Sequence, residues 1–504
     1  MGVPRRSSYG KLLPKIVPVL CGVDIGTTHV KAALVTEEGS LESVWSEPTP
    51  VGDDGYGPCH DPDDILATVE KTVYQAQQQC SRPSRVIAVG LTSVGEEGVP
   101  LGPKREVLYP AVTWYERRPS SEERGWSRRH PDEELFRVTG LHKDLGFTLF
   151  KWLWLKSERP DVWRQCATWV GIGDYVALRW TGEAAMSISH ASRTALLDLG
   201  ALRWHEEWAP EVLAIGTRAL PPLHNAGSVV GYLPRGRALG VLAARSVPVV
   251  STGLDHVVGA HAAGALRPGR VMDSLGTAEA LVAQVPSRVV EGADASVGVD
   301  FGAGLTPGAH IAVAGLGSGA GLAQISKLLG AGPSRDRAAL EAAATGVGPG
   351  AGGLTYVPPR ARSDVGAALF GLRMLHRQEH LYRAAVEGWA FAADDALAAL
   401  GHEEAAGEVL CTGGGSSSRL MMQVKASMLG RAIKLVKTPE LVAVGAALLA
   451  GQAGLGRDPL GQWEPEREEV QPDSSWEEAY ARLRPRLEEL AHMVHPGRKK
   501  HVYP

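Results

Sequence analysis

The sequence predicts an α/β protein of two domains with a ligand cleft between them, and three observations point there. The chain has 504 residues, too many for one ordinary core and enough for two domains of roughly 200 to 250 residues. Short β-branched runs alternate with helix-length apolar segments, the pattern of an α/β chain. A short motif, Asp24-Ile25-Gly26-Thr27, recurs one residue longer as Asp273-Ser274-Leu275-Gly276-Thr277, each copy between apolar strands and in opposite halves of the chain.

The elements follow in order. Val17 to Asp24, Val30 to Thr36 and Leu41 to Trp45 read as a meander whose first turn is polar. Ile65 to Gln79 reads as a helix and Val86 to Leu91 as a buried strand. The charge run Glu122 to Glu134 reads as a solvated face. Trp152 to Ser157 and Gly173 to Trp180 read as helices, the second stopped by Thr181-Gly182. Val247 to Ser251 is a strand running into Thr252-Gly253-Leu254-Asp255, and His256 to Leu266 has the small apolar residues of a closely packed helix. Arg270 to Ser274 and Ala280 to Val285 are strands around the second motif. The second half continues with a helix at Leu381 to Leu400 and a strand at Val409 to Thr412. A triple glycine then leads into a helix from Arg419 to Leu429 that stops at Gly430. Ala432 to Val436 is a strand, Ala443 to Ala450 a helix, and the Glu/Arg-rich tail ends in an amphipathic helix at Trp476 to Met493.

Bulk composition excludes several classes. Hydrophobic residues make up 44% and charged residues 21%, ordinary for a globular protein. The formal net charge of -4 leaves no global basic field for nucleic acid. No apolar run is long enough to span a membrane. The five cysteines are scattered with no CxxC spacing, which argues against a metal cluster or disulfide framework and for a reducing cytoplasm.

Several residues carry chemistry. Gly26 and the hydroxyls of Thr27 and Thr28 form a turn that offers donors to an anion, and Lys31 adds positive charge nearby. Asp24 would repel bare phosphate, so it makes sense only with a divalent cation between them, Mg2+ held through water being the usual arrangement. The bland reading is a hairpin turn bonding its own backbone. Gly276 and Thr277 of the second motif would clamp the terminal phosphates from the other side. Gly413 and Gly414 allow close approach of a ligand, while Ser418 reads equally as a helix cap. Asp255, at a strand end before a helix, is placed to accept a proton from an attacking hydroxyl, or to cap the helix. His256 is a substrate hydrogen-bonder or a first-turn residue. Glu96 and Glu97, flanked by glycines, would grip sugar hydroxyls or form a solvated turn. Trp114 offers an aromatic face to sugar C–H groups, or is core.

These pieces, in this order, resemble the FGGY family of carbohydrate kinases. The resemblance runs from about Val17 to Ala450 and rests on VDIGTTHVKAAL, VGLTSVGEEGV, YPAVTWYERR, TGLDHVVGAHAAGAL, DSLGTAEAL, GLTYVPP with ALFGL, YRAAVEGWAF, and CTGGGSSSRLMMQVKASMLG with VAVGAALLA. It implies two actin-like (ribonuclease H-like) domains closing on ATP and Mg2+. It places Asp24, Gly26, Thr27, Thr28 and Lys31 in the first phosphate motif and Gly276 and Thr277 in the second. Gly413, Gly414 and Ser418 fall in the nucleotide motif, Gly317 in a loop bordering the nucleotide, and Asp255 on the catalytic base. The departures lie at the acceptor. Gly95-Glu96 stands where glycerol kinases carry Arg-Glu, their substrate Tyr aligns with Gly146, the Met-His pair of xylulokinases is absent, and His190 replaces a common Asp.

The resulting expectation is an ATP-dependent kinase of a small polyhydroxylated substrate, a ketose, polyol or cyclitol, with Asp255 as base, Glu96, Glu97, Trp114 and His256 orienting the acceptor, and Asp24 on the Mg2+ side. The alternatives are an actin-like ATPase, or a sugar-binding regulator on the same fold. Residues 1–15 are expected to be a lead-in, 16–263 an N-terminal domain, 264–461 a nucleotide-binding C-terminal domain and 462–504 a charged helical tail. The protein is expected in the cytoplasm without nucleic-acid or membrane partners, and a homodimer is compatible with it.

Overall fold

The computed structural model describes all residues except 1–15, 214–219, 235–245, 277, 294, 297, 331–334, 361–364, 401–406, 458–462 and 497–504. The Met1 to Lys15 lead-in and Thr277 therefore lie outside the described residues.

Two sheets organise the chain. The first is built from β1 (Val17–Ile25), β2 (His29–Thr36), β3 (Leu41–Pro48), β4 (Ser84–Ser93), β5 (Ser228–Leu233) and β6 (Val247–Leu254), in the order β5-β6-β4-β1-β2-β3. β1, β2 and β3 form an antiparallel meander, and β4 and β6 continue parallel to β1. The second sheet contains β7 (Arg270–Leu275), β8 (Glu279–Val285), β9 (Asp300–Ala303), β10 (His310–Leu316), β11 (Glu408–Thr412), β12 (Ile433–Val436) and β13 (Arg467–Val470), in the order β9-β10-β8-β7-β11-β12-β13. Here β7, β8 and β10 are the meander, and β11 and β12 run parallel to β7. The duplication glimpsed in a few residues is thus a duplication of topology.

Both sheets are covered by helices because their strands are apolar on both faces, which leaves neither face fit for water. Val19, Cys21 and Val23 of β1 face one core with α1 (Pro62–Gln78). Leu20, Ala33 and Ala88 face another with Ala443, Val444 and Ala447 of α2 (Leu441–Leu449). A helix late in the chain therefore seats on the first sheet. Two glycines permit it: a Cβ on Gly22 would lie 1.8 Å from the Ala443 carbonyl oxygen, and one on Gly90 2.1 Å from that of Ala446.

The charge run keeps a solvated face, with Glu122, Arg124, Arg128, Arg129 and Glu133 exposed, and buries the opposite one. It folds as helices Ser121–Arg129 and Asp132–Thr139, which bury Trp126, Leu135 and Phe136 and even Glu123. The apolar residues interleaved with its charges decide the outcome. The tail helix, Ser474–Val494, buries Tyr480 and Leu490. Its Tyr480 hydroxyl donates to Glu387 Oε1 at 2.9 Å and accepts from Arg383 Nη2 at 2.7 Å, and β13 pairs with β12 at the edge of the second sheet.

Candidate active site

Strand ends explain why distant residues meet. Ile25 lies opposite Ser93, and Ser93 opposite Leu254, across the parallel strands β1, β4 and β6. Asp24, Glu96 and Asp255 therefore collect at the carboxyl ends of neighbouring strands, where open α/β sheets bind ligands.

Asp24 is buried, and its Oδ1 has no hydrogen-bond partner among the described residues. Burial pushes its carboxyl up to about 7, the Asp255 carboxylate pushes the same way, and Lys31 opposes them. A buried, unpartnered carboxylate oxygen beside a second carboxylate lacks positive charge. A hard divalent cation such as Mg2+, which takes few protein oxygens and fills the rest with water and phosphate, fits that donor set. The Lys31 ammonium is 2.6 Å from Glu440 Oε2, which ties the β1–β2 hairpin to the start of α2. The Gly26 N–H closes the turn on the His29 carbonyl at 3.2 Å.

Asp255 is the first residue of a helix, Asp255–Ala263, whose cap position is Leu254. Its Oδ1 accepts a 2.7 Å bond from the His256 N–H. His190 lies near it: burial pushes that imidazole down and keeps it neutral, with Nδ1 3.0 Å from Ser187 Oγ and Nε2 3.2 Å from Ser93 Oγ.

Glu96 adopts φ 62, a left-handed conformation uncommon outside glycine. Its carbonyl is pinned by the Thr148 hydroxyl at 3.1 Å and the Lys151 ammonium at 3.0 Å. Burial pushes Lys151 down to about 8 against the pull of Glu97 and Glu96. Glu97 departs from the expected sugar contact: it is buried, its Oε1 accepts from the Trp114 backbone N–H at 3.0 Å, and its Oε2 is 3.6 Å from His60 Nε2. It sits behind Trp114 and positions it. The Trp114 indole N–H in turn donates to Thr27 Oγ1 at 2.8 Å.

The second sheet brings the glycines together. Ser274 pairs with Thr412 and Glu279 with Leu316, so Gly276, Gly413 and Gly317 share one end of the sheet. Gly413 has φ 85, and a Cβ on it would fall 2.7 Å from the Leu275 carbonyl oxygen, so only glycine fits. Gly414 beside it is exposed. Ser418 is a helix cap: it accepts from the Met421 N–H at 3.1 Å and donates to Glu341 Oε1 at 2.7 Å. Asp273 is not a chemical copy of Asp24. Lys425 bridges Asp273 and Glu279, its ammonium 2.6 Å from Glu279 Oε1.

A cleft of about 1670 Å³ separates the two groups. Thr27, Thr28 and Trp114 line one wall, and Ala278, Gly317 and Tyr356 line the other. That volume exceeds a single small-ligand pocket of about 300 to 1,000 Å³ and leaves room for a nucleotide with an acceptor. Asp24, Asp255, Gly276, Gly413 and Gly414 stand beside this space rather than on its described wall. Two residues without a signal in the sequence stand at this site, Lys151 on the Glu96 carbonyl and Arg193 on the cleft wall. Arg193 lies in Ser192-Arg193-Thr194, directly after the serine-rich stretch in which His190 drew the attention.

Comparison with known proteins decides the family. The model of the N-terminal domain of the FGGY family of carbohydrate kinases matches residues 19–262, and that of the C-terminal domain matches residues 337–454. The chain belongs to the FGGY family of carbohydrate kinases. Its relatives include an L-fuculokinase of Escherichia coli (strain K12), 27% identical over 87% of this chain and 93% of that protein. A xylulose kinase of Bacillus subtilis (strain 168) is 25% identical over 85% of this chain and 87% of that one. The crystal structure of a xylulose kinase from Rhodospirillum rubrum superposes with a TM-score of 0.82 at 26% identity, covering 95% of this chain and 99% of that one. The FGGY protein is accordingly an ATP-dependent phosphotransferase acting on a carbohydrate hydroxyl, and its two sheets are those of the actin-like pair of domains.

Proposed function

We propose that Asp255 is the general base of this kinase, that Asp24 is its metal-side carboxylate, and that the acceptor is a small neutral ketose, polyol or cyclitol. The observation that carries this reading is the meeting of the two carboxylates at the carboxyl ends of β1 and β6, the strands on either side of β4, where Asp255 acts on the Asp24 charge. They stand beside threonines that line the cleft opposite the glycine turns. Relatives named for xylulose, L-fuculose and glycerol support a small neutral acceptor.

In this reading residues 16–263 form the acceptor half and 264–461 the nucleotide half. Gly276, Thr277, Gly317, Gly413 and Gly414 flank ATP, and Ser418 holds the helix beneath it. Closure expels water and aligns the γ-phosphate with the acceptor. Asp255 accepts the hydroxyl proton while the acceptor oxygen bonds to the γ-phosphorus and the bond to the ADP oxygen breaks. Mg2+, when bound, neutralises phosphate charge, and Asp24 would hold it through water. Glu96 and His256 hydrogen-bond the acceptor against the Trp114 ring. The cytoplasm suits both the ATP supply and five unpaired cysteines.

The test is Asp255→Asn, assayed with a panel of ketoses, polyols and cyclitols. Turnover should fall at least about 100-fold, while ATP affinity stays within about twofold of the parent because the base touches only the acceptor. Near-normal turnover would remove Asp255 from its role.

A further inference from the structure

We propose that Arg193 selects the acceptor, its guanidinium forming with Glu96 a donor–acceptor clamp for two vicinal neutral oxygens, either two hydroxyls or a hydroxyl beside a keto group. The inference rests on the kinase reading above and deepens it by naming the specificity residue and the acceptor class.

The Arg193 side chain is 16% exposed and lines the cleft. Its Nε donates to Glu96 Oε1 at 2.7 Å, and its guanidinium lies 4.9 Å over the Phe147 ring. Its two terminal nitrogens have no hydrogen-bond partner among the described residues, and neither does Glu96 Oε2. The pair thus holds its own geometry with four of the five guanidinium N–H groups and one carboxylate oxygen unspent. A rigid fork of N–H groups beside a carboxylate oxygen suits adjacent oxygens of one ligand, one accepting and one donating.

The surroundings are built for this arginine. A Cβ on Gly95 would lie 3.0 Å from Arg193 Cγ, 3.1 Å from its Cβ and 3.0 Å from Leu254 Cδ1. The bare backbone at Gly95 therefore makes room for the arginine stem, wedged against the residue that precedes Asp255. On the other side, the left-handed backbone of Glu96 is fixed by Thr148 and Lys151. Strain held by a buried ammonium fits a functional position better than a surface turn.

Charge decides between a neutral acceptor and a sugar acid. Arg193 is balanced by Glu96, Arg117 by Asp144 at 2.9 Å, and His142 Nδ1 lies 2.8 Å from Asp300. Asp300 and Asp144 both act on the Arg193 charge. The other cations of the wall, Lys143 and Arg360, are paired with Glu123 and Asp395. Among the described residues a carboxylate entering here would meet those acids and Asp255 with every lining cation already paired, whereas neutral hydroxyls meet both donors and acceptors.

The experiment compares the parent enzyme with Arg193→Met, Arg193→Lys and Gly95→Ala. The probes are xylulose, glycerol, myo-inositol and gluconate, with a deoxy analogue of the best acceptor that lacks one of its adjacent hydroxyls. The parent should prefer a neutral member over gluconate. Arg193→Met should raise the acceptor KM by about 10- to 100-fold and shrink the discrimination against the deoxy analogue. The KM for ATP and the unfolding midpoint should hold. Arg193→Lys should recover part of the loss, and Gly95→Ala should reproduce a milder form of it. An acceptor KM within about twofold of the parent in Arg193→Met overturns the proposal. So does unchanged deoxy discrimination, the result of a merely structural arginine, and so does preference for gluconate. Asp255→Asn separates the two readings: full activity there, with the Arg193 pattern intact, removes the base and leaves the clamp standing. Turnover of no probe by the parent enzyme overturns the acceptor reading and the clamp with it.

Discussion

A carboxyl group buried beside another carboxylate resists ionisation, and Asp24 is in that position. Its carboxyl, moved from 3.8 to about 7, weighs against the fold once it ionises, by about 4 kcal/mol at roughly 1.4 kcal/mol per pH unit. The sign follows from the direction. The unfolded chain ionises first as pH rises, so the stability present at low pH is lost progressively and is gone above about pH 7. Asp24→Asn stays neutral throughout. It should therefore be more stable than the parent, with a gap that widens between about pH 4 and pH 7 and is larger at pH 8 than at pH 5, and it should lose kinase activity. Mg2+ with ATP should restore the parent at the higher pH and do little for the variant, because ligand stabilisation needs the binding group. Thermal unfolding at both pH values, with and without Mg2+ and ATP, measures this. Parallel pH profiles would show that Asp24 is not the group that the metal neutralises. Asp24 was legible in the sequence because an acid beside a phosphate turn is otherwise unreasonable. Glu97 was legible as a carboxylate but not as a support for Trp114, since burial is set by β-strand neighbours far along the chain. Arg193 gave no signal, because its partner Glu96 is 97 residues away.

At the scale of elements, the second phosphate turn depends on a buried ion cluster. β7 and β8 each contribute an acid, Asp273 and Glu279, and both meet Lys425 on the helix Arg419–Leu429. Burial pushes Asp273 up to about 7 although Lys425 opposes it and Glu279 adds to the rise. Asp273 Oδ1 and Glu279 Oε2 have no partner among the described residues. Two acids share one ammonium, so the hairpin that carries Gly276 is fastened to the helix after the triple glycine by a single side chain. Lys425→Met keeps the stem and removes the charge. It should cost about 3 to 5 kcal/mol, the range for removing one partner of a buried pair, and it should raise the KM for ATP more than that for the acceptor. Urea unfolding and the two KM values report this, and an unchanged midpoint would mean that both acids are protonated without Lys425. The cluster was hidden because its members lie 146 and 152 residues apart. The strands and helices themselves were legible, since β-branched runs and the helix stop at Gly430 are local signals.

At the scale of the molecule, the two sheets are joined by a helix that belongs by sequence to the second and by packing to the first. α2 rests on β1, β2 and β4 through Ala443, Val444 and Ala447, and the residue before it, Glu440, holds Lys31 of the phosphate hairpin. Glu440 itself has φ 48, so the chain turns sharply as it enters the helix. No periodicity reveals such a contact, because a small-residue helix packs equally well on any flat apolar surface. The glycines of the first sheet carry the information, and only once the helix is in place. A Cβ at Gly22 would collide with backbone atoms of the helix, at 1.8 Å from the Ala443 oxygen and 2.4 Å from the Ala447 nitrogen. Backbone cannot rotate away as a side chain can, so the whole helix must lift. Gly22→Ala should therefore cost at least about 3 kcal/mol, above the ordinary range for overpacking. Because the helix carries Glu440, its displacement should also raise the KM for ATP, with the acceptor KM moving less. The paired control is Glu440→Gln, which weakens the tie to Lys31 without moving the helix. It should reproduce the ATP effect while costing no more than about 1 kcal/mol, as a partly exposed ion pair does. Denaturant midpoints and KM values of the two variants, taken together, test the helix as a mechanical link. A Gly22→Ala protein of parental stability would show that the helix does not seat on the first sheet.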